Sequence, residues 1–179
     1  MKAFTPLDLS FWGQIKRVLT HWFTFSWQVK SMLTEDERDA IAQHIEESEK
    51  HHTAEIAVAI ESRLPWAYLM RRARARERAW GVFGKMQVWD TPQNNGVLIY
   101  LLYADKRIEI VADRALAQAI PQARWDEWVH ILYEHAHAQT WGNGLILVIG
   151  EMDALLRQHF PQTDAYSDDN RASNRPAIW

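Results

Sequence analysis

The sequence contains no cysteine among its 179 residues. This absence excludes disulfide bonds, thiolate metal sites and cysteine nucleophiles, and it fits a cytoplasmic protein as well as some exported ones. Net charge is also small, at −3, so no overall basic field favours nucleic acid and we expect no nucleic-acid partner. The functional class must therefore come from local patterns.

Long apolar runs and enzyme signatures are also missing. No run approaches the roughly 18 apolar residues of a membrane-spanning helix, and the N-terminus lacks the pattern of a signal peptide. No G-x-x-x-x-G-K, G-x-G-x-x-G, G-x-S-x-G or H-E-x-x-H motif is present. We therefore expect a cytoplasmic protein, at most peripheral at the membrane, and the motifs do not decide whether it is an enzyme.

Three segments of the chain differ in character. Residues 1–33 are amphipathic, residues 34–161 alternate between helical and strand patterns, and residues 162–179 form a polar tail that we expect to be loosely held. With 47% hydrophobic residues, the chain can bury a sizeable core. The middle segment is therefore predicted to be the folded domain.

The middle segment predicts an α/β fold. Thr34 and Glu37 form a capping box that begins a helix to about Lys50. Strands are predicted over 54–61 and 96–103, and the second strand returns after a turn at 104–106 as an antiparallel hairpin. Further helices are predicted over 66–83 and 122–139, and a last one from Leu145 to Phe160. A small sheet covered by helices follows from this order.

Polar side chains are predicted to gather at one end of this sheet. Because the hairpin is antiparallel, Asp113 at the end of the return strand should lie beside Asn95 at the start of the central one. The predicted polar crevice comprises Glu55, Asp90, Asn94, Asn95, Asp113 and Arg114. Its oxygen atoms suit calcium or magnesium, with Asp90 and Asp113 as the metal candidates. In the alternative interpretation, Asp113 caps the next helical turn and Arg114 pairs with a nearby acid.

The N-terminal segment predicts an amphipathic helix. Its apolar residues recur every three or four positions, with polar residues between them. One interpretation is that residues 9–29 contact a membrane surface or a protein partner. The residues predicted to make that contact are Trp12, Lys16, Arg17, Trp22 and Phe23. The alternative is a helix packed on its own domain or on another subunit.

Two weaker patterns lie on predicted helices. The run RRARARER at residues 71–78 favours either a solvated helix face or a patch for phosphate or anionic lipid. His130, Glu134 and His137 have a spacing that could converge on one cation, although the wet face of an amphipathic helix would carry the same residues.

The run DTPQNNGVLIYLLYADKRIEIVADR, followed by a tryptophan-containing helix and a terminal HFP at 159–161, resembles the TPM domain. This family is named for thylakoid-lumen, photosystem-repair and acetylcholine-receptor-accessory relatives. The resemblance covers about residues 33–161 and implies a mixed sheet of about four strands between helices. One departure is Ala115, which stands where a glycine commonly follows the Asp-Arg pair.

The resemblance implies several activities: acid phosphatase activity in some members, divalent-cation binding in others, and accessory roles to membrane proteins in others again. We expect a binding or accessory module that helps to maintain membrane or envelope proteins, carries calcium or magnesium in its crevice and has a protein partner. The alternative is a metal-assisted acid phosphatase acting on phosphate monoesters, in which Arg114 steadies developing charge. A structural role in an oligomer is a third hypothesis.

Overall fold

The computed structural model describes residues 10–162 and 173–179, which form eight α-helices and four β-strands within those ranges. The helices are α1 (Phe11–Trp22), α2 (Ser26–Lys30), α3 (Glu35–Glu49), α4 (Trp66–Met70), α5 (Ala75–Lys85), α6 (Arg114–Ala119), α7 (Gln122–Ala138) and α8 (Trp141–His159). The strands are β1 (Ile56–Glu61), β2 (Val97–Leu102), β3 (Arg107–Ala112) and β4 (Ala177–Ile178).

The four strands form one mixed sheet in the order β3-β2-β1-β4. β1 runs parallel to both β2 and β4, whereas β2 and β3 form the predicted antiparallel hairpin. In this register Ile56 pairs with Val97, and Val97 pairs with Ala112. The amino ends of β1 and β2 therefore meet the carboxyl end of β3 at one edge of the sheet.

Helices cover both faces of this sheet. Alternate side chains of β1 point to opposite sides, because strand residues alternate in direction. Ile56, Val58 and Ile60 enter a core shared with α2, α3, α7 and α8. Ala57 and Ala59 enter a second core shared with α4 and α5. The predicted α/β fold, a sheet of about four strands covered by helices on both faces, is confirmed.

The helix predicted over 66–83 is wrong in one respect, because the structure breaks it into α4 and α5. Arg72 takes a left-handed backbone conformation with φ 58° between the two. On one continuous helix Leu69 and Val82 would point roughly 140° apart. The break lets both side chains enter the same core, where Leu69 is 3% exposed and Val82 is fully buried. The arginines of this run consequently do not share the faces of a single cylinder.

The loosely held C-terminal tail is also corrected at its last residues. Residues 163–172 lie outside the described ranges, but β4 pairs in parallel with Ala59 and Ile60 of β1. The main chain of Trp179 donates to Ile60 O (3.1 Å) and accepts from Ser62 N (2.8 Å). A strand of two residues is too short to produce an alternating pattern, so periodicity could not reveal it.

Candidate functional site

Five of the predicted crevice residues lie at the sheet edge where β1 and β2 begin and β3 ends: Glu55, Asn94, Asn95, Asp113 and Arg114. Three main-chain hydrogen bonds join these segments: Val97 N to Glu55 O (2.8 Å), Asp113 N to Gly96 O (2.8 Å) and Ala115 N to Asn94 O (3.1 Å). These bonds follow from the parallel and antiparallel pairing of β2 with its two neighbours. The hairpin geometry thus places the Asp113 segment beside the Asn95 segment.

Asn95 is the most deeply buried polar residue of the crevice, with no exposed surface. Its Nδ2 donates to Thr53 Oγ1 (2.9 Å), and its main-chain N donates to Thr91 Oγ1 (3.0 Å). Thr53 Oγ1 donates onward to Gln93 Oε1 (2.8 Å). Asn95 Oδ1, however, is buried without a hydrogen-bond partner in the part of the chain that the structure describes. A buried acceptor left unpaired costs about 1–3 kcal/mol, so a water molecule or a cation bound to this oxygen would be stabilising.

Asp113 and Arg114 lie at the end of β3 and the start of α6. Asp113 is the N-cap of α6, and its Oδ1 accepts from Arg114 N at 2.7 Å. The exposed guanidinium of Arg114 donates through Nη2 to Asn94 Oδ1 at 3.1 Å, so its partner among residues 10–162 and 173–179 is an amide and not an acid. The two residues therefore combine capping with a position in the crevice. Ala115 is helical within α6, which removes the need for a glycine at this position.

The remaining acids are Glu55, at this edge, and Asp90, in the turn that follows α5. Glu55 is 8% exposed immediately before β1, and Asp90 follows α5 in a turn in which its N donates to Gln87 O at 2.9 Å. Among residues 10–162 and 173–179, no group of three His, Cys, Asp or Glu residues could hold a metal ion. A cation here would thus depend on Asp90 and Asp113 together with amide or main-chain oxygens. The unpaired Asn95 Oδ1 is an atom of that kind, which fits a hard cation.

His130, Glu134 and His137 on α7, the trio predicted as a possible cation site, do not form a metal site. His130 Nε2 lies 3.3 Å from Glu134 Oε1, and these two side chains are about 70% and 69% exposed. His137 is not part of any three-ligand cluster within the described ranges. The trio occupies the wet face of the helix opposite the buried Trp128, as the alternative interpretation predicted.

A second polar cluster, which the sequence did not predict, lies at the other end of the sheet. Glu61 ends β1 and is 2% exposed. It accepts from four donors: Arg78 Nε (2.9 Å), Arg78 Nη2 (2.8 Å), Tyr100 Oη (2.6 Å) and Trp179 Nε1 (3.0 Å). Burial and the Glu61 carboxylate raise the pKa of Tyr100, so its hydroxyl stays a donor. Because all four of these donors are paired with the Glu61 carboxylate, we interpret this cluster as structural.

A third cluster attaches α1 to the domain and corrects one predicted contact residue. Arg17 is only 7% exposed, and its Nη2 lies 2.6 Å from Asp105 Oδ2 and 2.8 Å from Ala73 O. His21 Nδ1 accepts from Leu64 N (3.0 Å), so its proton lies on Nε2, 3.0 Å from Asp105 Oδ1. Arg17 therefore holds the helix to the domain and does not belong to an outward contact surface. Of the other predicted contact residues, Lys16 is exposed, and Trp12, Trp22 and Phe23 are 75%, 63% and 66% exposed.

A Ser-His-Asp grouping joins α3 to α8 beside an open groove of about 500 Å³. Ser48 Oγ donates to Asp153 Oδ1 at 2.9 Å and lies 2.8 Å from His52 Nε2. His52 Nδ1 accepts from Ala54 N at 3.2 Å, so His52 Nε2 carries the proton and cannot accept one from Ser48. Burial lowers the pKa of His52 to about 4. The hydrogen-bond directions are thus the reverse of those in an activated serine.

The three-layer architecture defines a small α/β domain with a mixed four-stranded sheet. The TPM domain model matches residues 28–155, and the chain belongs to this family. A matching solved structure is the NMR structure of BA42 protein from the psychrophilic bacterium Bizionia argentinensis, with a TM-score of 0.69 and 26% identity. That match covers 81% of this chain and 94% of BA42. No curated protein matches the chain.

Proposed function

We propose that this TPM domain is a binding and accessory module that holds a divalent cation in the crevice and serves the maintenance of membrane or envelope proteins through a protein partner. The proposal places it in the cytoplasm. The accessory role rests on membership of the TPM family, and the cation site rests on the fully buried Asn95 side chain, whose Oδ1 has no hydrogen-bond partner among the described residues. A cation in contact with that oxygen would supply the missing interaction.

The donor set favours calcium or magnesium over softer metals. Asp90, Asp113 and Asn95 offer oxygen atoms only, and hard cations select oxygen. With at most two of the predicted carboxylate ligands and no third His, Cys, Asp or Glu within the described ranges, the site has a low ligand charge. Such sites bind calcium weakly, and we expect a dissociation constant of about 10⁻⁴–10⁻³ M. The site would therefore be filled only when the free cation reaches concentrations of that order.

Calorimetric titration of the purified protein with calcium and with magnesium tests this proposal. Asp113→Asn is the sharpest variant, because asparagine is as good an N-cap as aspartate and only the carboxylate charge is lost. We expect saturable binding that weakens at least about tenfold in Asp113→Asn and in Asp90→Asn. Asp126→Asn, on the exposed surface of α7, is the matched control and should bind like the unmodified protein. No heat of binding with either ion would refute the cation site.

The second candidate is a metal-assisted acid phosphatase acting on phosphate monoesters. It is favoured by Arg114, whose exposed guanidinium lies beside the crevice with one contact to Asn94. In that reaction Asp90, Asp113 and Asn95 would hold a cation that polarises the phosphoryl group, and Arg114 would stabilise the charge that develops on the phosphoryl oxygens. Hydrolysis of p-nitrophenyl phosphate by the cation-loaded protein, reduced about 100-fold or more in Arg114→Gln, would favour this candidate. Cation binding without turnover would favour the accessory module.

A further inference from the structure

The outward side of α1 is an exposed apolar stripe. Its large side chains retain between 36% and 75% of their surface, which is unusual for a helix on a folded domain. On a helix these positions fall within an arc of roughly 120°. We call this stripe the aromatic face: Phe11, Trp12, Ile15, Leu19, Trp22 and Phe23. Phe25 and Trp27, 49% and 66% exposed, follow shortly after the end of α1.

The aromatic face points outward because α1 is held by its polar side. Arg17 and His21 are 7% and 1% exposed and both contact Asp105 in the β2–β3 turn. Gln14 Nε2 donates to Leu69 O at 2.9 Å. An amphipathic helix on a globular protein ordinarily buries its apolar side. Here specific polar contacts fix the opposite orientation, so the exposed stripe belongs to a well-attached helix.

The segment that carries the aromatic face and the segment that anchors its polar side contain cations and no acids. No acidic residue occurs over 10–34 or over 63–76, although the whole chain carries a net charge of −3. The contacts from Gln14 to Leu69 O and from Arg17 to Ala73 O place the second of these segments against α1. Exposed cations of the two segments include Lys16, Lys30, Arg63, Arg72 and Arg74. Trp66 and Met70, 57% and 45% exposed, add apolar surface on the same segment.

We propose that the aromatic face binds the interface of an anionic membrane, with α1 parallel to the bilayer surface. Tryptophan and phenylalanine side chains on one side of a helix insert at the level of the lipid headgroups, and neighbouring cations attract acidic lipids. A second copy of the chain fits less well. A two-fold interface places the same surface on both subunits, so Lys16 and Lys30 of one copy would approach the same cations of the other with no acid of residues 10–34 to pair with them.

Vesicle flotation with the full-length protein tests this proposal. Vesicles of phosphatidylcholine with phosphatidylglycerol should carry the protein, whereas phosphatidylcholine alone should carry much less, and added salt should weaken the binding. The variant Trp12→Glu/Trp22→Glu changes only exposed positions and should lose binding more than about tenfold. Trp89→Glu, a 51% exposed tryptophan just before the crevice loop at the opposite sheet edge, is the control and should bind normally. Lys16→Glu should weaken binding at least about fivefold.

Two results would overturn the proposal. One is failure of the unmodified protein to float with anionic vesicles. The other is equal flotation of the unmodified protein and Trp12→Glu/Trp22→Glu, with far-UV circular dichroism confirming that both are folded. Light scattering tests the competing occupant. If the unmodified protein is a dimer, Trp12→Glu/Trp22→Glu is a monomer and neither protein binds vesicles, the aromatic face is the interface with a second copy of the chain.

Discussion

Replacing Glu61 with glutamine tests whether the buried cluster at the end of β1 holds the sheet together. The Glu61 side chain is 3% exposed, and its partner Arg78 is 13% exposed. Glutamine keeps the shape but removes the negative charge and turns one accepting oxygen into a donating nitrogen. The Arg78 charge would then be buried without compensation, which typically costs about 3–5 kcal/mol.

The hydrogen-bond geometry leads to the same magnitude. Arg78 uses both Glu61 oxygens, Tyr100 uses Oε2 and Trp179 uses Oε1. With only one oxygen left, at least one of these donors loses its acceptor, at about 1–3 kcal/mol for each buried group. For a domain of this size, a loss of about 3–5 kcal/mol corresponds to a fall in melting temperature of about 6–20 °C.

Urea denaturation followed by circular dichroism measures this loss, and hydrogen exchange adds a local readout. Because Trp179 Nε1 bonds to Glu61, the amides of Trp179 and Ser62 that pair β4 with β1 should exchange faster in Glu61→Gln. Glu47→Gln, which disrupts an exposed pair with Lys50, is the control and should leave the urea midpoint unchanged. A loss below about 1 kcal/mol in Glu61→Gln would refute the reasoning, since the ion pair would then merely balance its desolvation.

Three further predictions concern other buried groups. Burial alone would raise the pKa of Asp105, but His21 and Arg17 hold it at about 2, below its ordinary 3.8. Stability should therefore fall by about 2 kcal/mol as pH drops from about 4 to 2, and Asp105→Asn should remove that slope in acid denaturation. Burial lowers the pKa of His52 from 6.5 to about 4, so NMR should show a neutral ring down to about pH 4. The neutral His52 ring contributes up to about 3 kcal/mol to stability above pH 6.5, and this contribution declines as pH falls towards 4. A His52 ring that titrates near pH 6.5 would contradict this prediction. Gly144→Ala places a Cβ 2.6 Å from the Cβ of His135 and should destabilise α8 by about 1–3 kcal/mol in thermal melts. Gly150→Ala, on the same helix with nothing within 4 Å, should instead stabilise it by about 0.5–1 kcal/mol.

Most of the fold could be predicted because its elements carry strong local signals. The capping box at Thr34 begins α3 where expected, and the β2–β3 hairpin has its predicted pairing. The break between α4 and α5 escaped prediction because no glycine or proline occurs over 71–74 and the left-handed residue is Arg72. β4 was not predicted because two residues are too few to show a period. Its position is set by its pairing with β1.

Only the part of the candidate site that follows from strand pairing could be predicted from the sequence. Antiparallel pairing brings Asp113 towards Asn95 whatever the side chains do. The burial of Asn95 depends on packing around Thr53, which lies 42 residues away. Glu61 illustrates the same limit, because a glutamate at the end of an apolar strand looks like a solvated boundary. Its partner Tyr100 offered a signal, since a hydroxyl inside a continuous apolar strand requires a buried acceptor.

The orientation of α1 on the domain depends on the balance of interaction energies and could not be predicted from sequence periodicity. The period of its apolar residues defines a stripe but not the direction in which the stripe faces. Losing the buried Arg17–Asp105 pair would cost about 3–5 kcal/mol. Leaving the six side chains of the aromatic face about half exposed forgoes roughly 5–9 kcal/mol of apolar burial. The two estimates overlap once the contacts of His21 and Gln14 are added to the ion pair, so the polar side of α1 is sufficient to hold the helix with its apolar face outward. An anionic membrane over that face, as we propose, would restore the forgone apolar burial without breaking these contacts.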